Sequence, residues 1–170
     1  MYGDFLMMVD AQIGRVLTTL HDSGMDDDTL LVFTSDNGPT WYDADVDRFG
    51  HDSAGGFRGM KSDAWEAGHR MPLIVRWPGR VKAGSTSDQL VCFTDFLATF
   101  ADVLNVTLPT AAGSDSISFL QALTGDKRNA AQARTQFVMQ AGSAASMMMI
   151  REGDWKLITG LGSGGFSKPT

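Results

Sequence analysis

The stretch TLLVFTSDNG, Thr29 to Gly38, decides how this sequence is organised. Residues Thr29 to Thr34 are all apolar or β-branched, which is typical of a strand that is covered on both faces. The preceding segment predicts a helix from Tyr2 to Asp22, because its apolar residues recur at helical spacing. These residues are Phe5, Leu6, Val9, Ile13, Val16, Leu17 and Leu20. A helix that leads into a buried strand favours an α/β fold with a mostly parallel sheet and flanking helices.

Further elements follow a long polar segment, residues 35–71. The run MPLIVRWPG predicts a second buried strand, and residues 88–93 predict a short one. The run TDFLATFADVLN predicts a helix with Thr94 as its N-cap, and SISFLQALTG predicts a short helix that ends at Gly125. Three short strands at residues 136–140, 146–151 and 155–159 then predict a small antiparallel sheet with a helix. We therefore divide the chain into part of an α/β domain, residues 1–108, and a small α+β subdomain, residues 109–170.

The composition is that of a globular protein with an acidic surface. The chain has 170 residues, 43% of them hydrophobic and 20% charged, with a formal net charge of −6. No basic stripe and no apolar run long enough to cross a bilayer is present, so we expect neither a nucleic-acid nor a membrane partner. Cys92 is the single cysteine, which excludes an intrachain disulfide and leaves the compartment undecided.

The triplet Asp36-Asn37-Gly38 directly follows the first predicted strand. Asn-Gly by itself is a turn signal. In open α/β sheets, however, ligands bind beyond the carboxyl ends of the strands. A carboxylate next to an amide offers two oxygen ligands of the kind that a hard divalent cation prefers. The triplet therefore predicts a turn, a metal site, or both.

The Gly-rich loop before the second strand carries Lys61. A lysine in such a loop either points to solvent or meets an anion as a compact point charge. Glu66 and Arg70 follow in the same loop, and we interpret them as a local ion pair that fixes it. Cys92 lies in an apolar segment, where a cysteine is more often a core residue than a nucleophile.

Four segments together resemble the C-terminal half of the sulfatases, which belong to the alkaline-phosphatase-like superfamily. They stand in the family's order and spacing, as LLVFTSDNG, FRGMKSDAWEAGHRMPLIVRWPG, TDFLATFADVLN and IREGDWKLI. Glu66-Ala67-Gly68 departs mildly from the usual Glu-Gly-Gly of the family. The resemblance implies a parent protein that hydrolyses sulfate esters through a formylglycine nucleophile, made from Cys or Ser in a C/S-x-P-x-R motif, with the help of calcium.

The resemblance also assigns roles to residues of this chain. It implies that Asp36 and Asn37 are ligands of the calcium ion and that Lys61 is a catalytic group in contact with the sulfate. For His51 it implies a position facing the substrate or a role in the departure of the leaving group. Cys92 stands in VCFTDF and not in C/S-x-P-x-R, so the formylglycine and the remaining metal ligands are expected in a missing N-terminal half.

The expected partners are a sulfated small molecule or sulfated carbohydrate, together with that N-terminal half. The isolated chain is expected to be inactive, and a periplasmic or secreted parent protein is compatible with the resemblance. Two other hypotheses stay open at this point. One is a fragment of a related phosphate or phosphonate ester hydrolase, since a fold does not determine a substrate. The other is a non-catalytic module that binds through the small C-terminal sheet.

Overall fold

The computed structural model describes residues 2–125, 133–142 and 147–168. Four helices occur in them, α1 (Tyr2–Asp22), α2 (Asp43–Phe49), α3 (Asp95–Val103) and α4 (Leu120–Thr124), with a single 3-10 turn at Glu66–Gly68. The strands are β1 (Leu31–Thr34), β2 (Leu73–Arg76), β3 (Gln136–Gln140), β4 (Met148–Glu152) and β5 (Trp155–Ile158). None of the described helices is long and apolar enough to span a membrane.

Three of the four helices form where the sequence predicts them, but α2 lies in the polar segment 35–71, for which no helix was predicted. Helix α1 has the predicted bounds and is followed by Gly24 in the left-handed conformation, φ 67°, where glycine is favoured. Helix α4 ends at Gly125, which has φ 71°. Thr94 precedes α3 as predicted, but its side chain makes no capping hydrogen bond.

The short strand predicted at residues 88–93 is wrong, because this segment has no strand structure. The backbone N–H of Cys92 donates instead to the carboxylate of Asp95, at 2.9 Å. A backbone group that is bonded to a nearby side chain is no longer available to a sheet. The apolar character of the segment reflects packing around the start of α3 and not a place in a sheet.

A buried ion pair fixes the first turn of α3. Asp95 is 1% exposed, and its carboxylate accepts from Nη2 of Arg134 at 2.7 Å and from Nε at 2.9 Å. Burial raises the pKa of Asp95, but the hydrogen bonds from Arg134 outweigh it and hold the pKa below its usual range. Burial also raises the pKa of the Cys92 thiol, which lies beside this pair. Cys92 is therefore a protonated, inert thiol at neutral pH, as expected of a core residue.

Strands β1 and β2 pair antiparallel, with Leu31 opposite Arg76 and Thr34 opposite Leu73. The mostly parallel sheet that we predicted is thus not found in the described residues. The reason is that an apolar run reports burial and carries no information on strand direction. Neither strand is fully covered within this chain, since Phe33 is 38% and Ile74 60% exposed.

The C-terminal strands form the predicted antiparallel sheet, in the order β3-β4-β5, and Ser146, the predicted start of the middle strand, lies outside the described residues. Helix α4 packs against α3, where Phe119 meets Phe96 edge to face at 5.2 Å. The inner face of the sheet carries Phe137, Met139 and Ile158, which pack around a buried cluster of Ala64, Ala141, Met147 and Met149. This core joins the loop after Lys61 to the C-terminal sheet, and the proposed division at residue 108 stays a prediction.

Helix α1 buries none of its residues within the chain. Phe5 is 59%, Leu6 48% and Val16 51% exposed, although all three belong to the predicted apolar stripe. Near its start, the ring of Tyr2 lies 4.5 Å from that of Trp41. The chain therefore presents an apolar helix face that the rest of its described residues leave uncovered.

Candidate functional site

The antiparallel pairing of β1 and β2 brings the exit of one strand to the entrance of the other. As a result, the Asp36-Asn37-Gly38 turn lies against the loop that precedes β2. The N–H of Gly38 donates to the carbonyl of Gly68 at 3.0 Å, and the N–H of Lys61 donates to the carbonyl of Pro39 at 2.7 Å. These two backbone hydrogen bonds hold the loop that precedes β2, which carries Lys61 and which we call the Lys61 loop, directly against the turn.

The close approach depends on two glycines. A Cβ added to Gly38 would lie 1.6 Å from the carbonyl oxygen of Ala67, and one added to Gly68 would lie 2.2 Å from that of Asp63. Both obstacles are backbone atoms, which cannot move aside as a flexible side chain would. Glycine is therefore required at position 38 for the turn to meet the loop, and at position 68 for the loop to fold back on its own backbone at Asp63.

Asp36 and Asn37 project two oxygen-bearing side chains from the turn. Asp36 is exposed, and its carboxylate makes no hydrogen bond or ion pair with any residue that the structure describes. The side-chain nitrogen of Asn37 donates to the carbonyl of Gly38 at 2.9 Å, which leaves its Oδ1 free to accept. The backbone bends at Asp36 and Asn37, as the predicted change of direction requires, although no backbone hydrogen bond among the described residues closes a turn there. The two side chains have the donor chemistry that a hard cation prefers.

These two residues alone do not complete a metal site. Calcium takes about six to eight oxygen ligands. Within residues 2–125, 133–142 and 147–168, no group of three or more His, Cys, Asp or Glu side chains could hold a metal ion. The metal-ligand role of Asp36 and Asn37 thus stays a prediction that needs ligands from elsewhere.

Lys61 is half-buried at the centre of a loop that other segments clamp. Ser62, next to it, has a φ of 73°, a left-handed conformation that is uncommon for a residue with a side chain. The carbonyl of Ser62 accepts from the N–H of Gly142 at 2.8 Å, and the N–H of Ala64 donates to the carbonyl of Ser163 at 2.7 Å. Strained backbone of this kind persists only where surrounding contacts impose it.

Asp63 is the buried anchor of this loop, and sequence reasoning missed it. It is fully buried, and its carboxylate accepts from the N–H of Met60 at 2.8 Å. It also accepts from the hydroxyl and the N–H of Ser167, at 2.5 and 3.1 Å. A lone Asp in a polar, Gly-rich loop looks solvated in the sequence, because nothing near it indicates that residue 167 covers it.

Glu66 joins the same loop to the C-terminal hairpin. The predicted ion pair with Arg70 is confirmed, at 2.9 Å. Sequence reasoning missed two further partners, Arg151 at 3.0 Å and Lys156 at 2.6 Å, which come from β4 and β5. Lys156 also lies 2.9 Å from Nε2 of His69. Since lysine only donates, Nε2 is the acceptor.

The network determines which of its groups are charged. Burial raises the pKa of Glu66, but the hydrogen bond and charge of Lys156, together with the charge of Arg151, lower it to about 2. Burial and the Lys156 ammonium lower the pKa of His69 to about 4. At neutral pH, Glu66 is therefore an anion shared by three cations, and His69 is neutral.

His51 lies apart from these contacts. It is exposed, its carbonyl accepts from Nε1 of Trp41 at 2.6 Å, and its ring meets the Trp41 ring edge to face at 5.7 Å. The structure thus brings together the turn and the Lys61 loop, while the contacts of His51 among the described residues are with Trp41. Its catalytic role stays a prediction.

Two known protein families match this chain. The family described as Sulfatase matches residues 1–106, which is more than half of the chain. This chain belongs to the sulfatase family. A second family, described as the C-terminal part of N-sulphoglucosamine sulphohydrolase, matches residues 60–161 of the sulfatase chain.

Individual relatives agree with the assignment. An N-acetylgalactosamine-6-O-sulfatase of Bacteroides thetaiotaomicron is 35% identical over 161 residues, which are 92% of this sulfatase chain and 30% of the relative. A structure from Bacteroides thetaiotaomicron, solved in work on the metabolism of multiple glycosaminoglycans, has a TM-score of 0.79 at 37% identity and covers 92% of this chain and 32% of its own.

A further structure contains its substrate, D-glucosamine-2-N,6-O-disulfate, and has a TM-score of 0.65 at 29% identity; the match covers 90% of this chain and 29% of that one. The chain described here therefore spans about a third of the length of each of these three relatives.

Proposed function

We propose that this chain supplies the C-terminal portion of a hydrolase of sulfate esters, in which Asp36, Asn37 and Lys61 act at one site. The observation that carries the proposal is the 2.7 Å hydrogen bond between the N–H of Lys61 and the carbonyl of Pro39. It places the backbone of the lysine beside the turn that bears the carboxylate and the amide. Membership of the sulfatase family supports sulfate esters as the substrate class.

Asp36 and Asn37 are the proposed protein ligands of a divalent cation, which we take to be calcium. Their oxygens suit such an ion, and the remaining ligands would come from outside the described residues. When bound, the ion supplies charge that polarises a sulfate oxygen. The exposed Asp36 carboxylate and the free Oδ1 of Asn37 support this assignment.

Lys61 is proposed as the sulfate-binding and catalytic cation. Its ammonium group makes no ion pair within the described residues, so no internal carboxylate competes with an incoming anion. A fixed positive charge near a leaving group stabilises the negative charge that develops there. The clamps on Ser62 and Asp63 hold the backbone of this lysine in place. His51, on the exposed loop, is the proposed second group on the substrate side.

The nucleophile is proposed to lie in another part of the protein, as a formylglycine. Cys92 is the single cysteine of the chain, and its raised pKa keeps the thiol protonated. Without the nucleophile and the further metal ligands, the isolated chain would be inactive. The exposed apolar stripe of α1 supports the presence of a covering portion, which we propose to be the N-terminal half.

The test is hydrolysis of an aryl sulfate by the full-length parent protein with Asp36→Ala and Lys61→Ala substitutions. We expect each to lower kcat/KM by about a hundredfold or more, the cost typical of losing one preorganised electrostatic contact. Matched controls are Asp43→Ala and Lys82→Ala, at exposed positions outside the site. Full activity of the Asp36 and Lys61 variants would overturn the site assignment, and activity on phosphate esters alone would overturn the substrate class.

A further inference from the structure

A cleft of about 220 Å³ lies where the Glu66 turn meets the β4–β5 hairpin. Three cationic side chains line it, those of Arg70, Arg151 and Lys156, against the two carboxylates of Glu66 and Asp154. The chain as a whole has a formal net charge of −6, so a lining in which cations outnumber carboxylates is unlike the rest of the molecule. The excess positive charge of its lining should therefore attract an anion to the cleft.

Glu66 does not use up the donors of the two arginines. Its Oε1 accepts from Nε of Arg70 and from Nη1 of Arg151, and Nη2 of Arg70 lies 2.9 Å from the same oxygen. Nε of Arg151 donates to the carbonyl of Gly153 at 3.1 Å. Among the described residues, no hydrogen bond employs Nη1 of Arg70 or Nη2 of Arg151. Each guanidinium thus keeps donors for a ligand while Glu66 holds it in position.

Aromatic side chains complete the walls of the cleft. The guanidinium of Arg70 lies over the ring of Phe57, 4.4 Å from its centroid, which orients the arginine further. Trp155, in the same lining, is 85% exposed. A large exposed aromatic surface beside free cationic donors is typical of a ligand site. Without a ligand to cover it, the contact of this apolar surface with water is unfavourable.

We propose that this cleft binds an anionic sugar ring, with the sulfate or carboxylate at Arg70 and Arg151 and the ring against Trp155. The volume is below the roughly 300–1,000 Å³ of pockets for drug-sized ligands, so it matches a single ring and not a long chain. The inference rests on the proposed function and deepens it, since it adds a second anion-binding position for the same substrate at Arg70 and Arg151. The cleft would recognise a charged group on the substrate other than the sulfate ester held at Lys61.

The test is calorimetric titration of the full chain with D-glucosamine-2-N,6-O-disulfate as the probe. Unsulfated glucosamine, glucuronic acid and inorganic sulfate are titrated in parallel to separate the contributions of the sulfate, the carboxylate and the ring. We expect the disulfated sugar to bind more tightly than inorganic sulfate and unsulfated glucosamine to show no binding. Affinity should fall as sodium chloride is raised, since the donors are partly exposed.

Variants locate the binding site. Arg70→Gln and Trp155→Ala should each weaken the affinity by about tenfold, as expected for the loss of a charge-assisted hydrogen bond or a stacked ring. Arg80→Gln is the matched control, because Arg80, like Arg70, lies over an aromatic ring, that of Trp77 at 5.9 Å, but outside the cleft. Arg80→Gln should leave the affinity unchanged.

The outcomes separate this inference from the proposed function. Loss of affinity in Lys61→Ala with none in Arg70→Gln or Trp155→Ala would overturn the cleft and leave the proposed function standing. Binding that depends on Arg70 and Trp155, with no sulfate ester hydrolysis by the full-length parent, would overturn the proposed function and leave the cleft standing. Equal affinity for inorganic sulfate and for the disulfated sugar would also overturn the proposal, since the ring would then contribute nothing.

Discussion

Nζ of Lys156 lies 2.6 Å from Oε2 of Glu66, although 90 residues separate them in the sequence. The contact joins β5 to the loop that seats Lys61 against the Asp36 turn. Lys156 thereby neutralises a carboxylate that also holds Arg70 and Arg151. The C-terminal hairpin is thus an integral support of the candidate site.

Glu66→Gln should destabilise the chain by about 1–3 kcal/mol, because it leaves three cations without their shared anion. The value is below that for a fully buried pair, since the Glu66 side chain is 22% exposed. Urea unfolding of wild type and variant measures the change. Glu152→Gln is the matched control at an exposed position, and it should unfold with the wild type. Equal midpoints for all three proteins would show that the network contributes no stability.

The chain should lose stability at acidic pH, over a pH range that the pKa of His69 determines. Its folded-state pKa of about 4 lies below the ordinary value of 6.5, so the unfolded chain takes up the proton first. The stabilisation is complete above pH 6.5 and is lost as the pH falls towards 4, a change of about 3 kcal/mol. Glu66, with its pKa of about 2, adds a second loss below pH 4.5.

Unfolding free energies measured between pH 7 and 4.5 would test this. His69→Gln should flatten the curve over that range, since its amide can still accept from Lys156 but does not titrate. His21→Gln is the control, because that side chain is 78% exposed. If the two variants showed the same pH dependence as the wild type, His69 would not be the group responsible.

Gly38→Ala should disrupt the contact between the turn and the Lys61 loop. The new Cβ would overlap the carbonyl of Ala67, so one of the two backbones must move. Overpacking of this kind costs about 1–3 kcal/mol, occasionally more. Gly14→Ala, within α1 and with open space around it, should instead stabilise the chain by about 0.5–1 kcal/mol. Thermal unfolding of both variants makes the comparison, and a neutral Gly38→Ala would contradict the close packing of turn and loop.

Asp95→Asn should cost about 3–5 kcal/mol, because it leaves the buried guanidinium of Arg134 without its counter-charge. Asp115 offers a matched comparison, since it contacts the same arginine at 3.4 Å but is 74% exposed. Asp115→Asn should therefore change the unfolding free energy by less than about 1 kcal/mol. Similar losses in the two variants would mean that burial of the ion pair does not determine its contribution.

Much of the local structure follows from the sequence alone. The bounds of α1, the end of α4 at Gly125 and the antiparallel C-terminal sheet depend on periodicity and turn residues, which act over a few positions. The turn at Asp36-Asn37-Gly38 and the pair Glu66–Arg70 are local for the same reason. Four motifs in order also sufficed to indicate the family, which the match over residues 1–106 confirms.

The tertiary structure alone decided what depends on distant partners. Three features join residues that lie many positions apart in the sequence. They are the antiparallel pairing of β1 and β2, the hydrogen bond from Ser167 to Asp63 and the hydrogen bond from Lys156 to Glu66. A single sequence contains no signal for such pairs, because an apolar run looks the same in either strand direction and a loop carboxylate looks solvated until another segment covers it. The sequence thus determined the pieces of the candidate site, and long-range hydrogen bonds and burial decided how they meet.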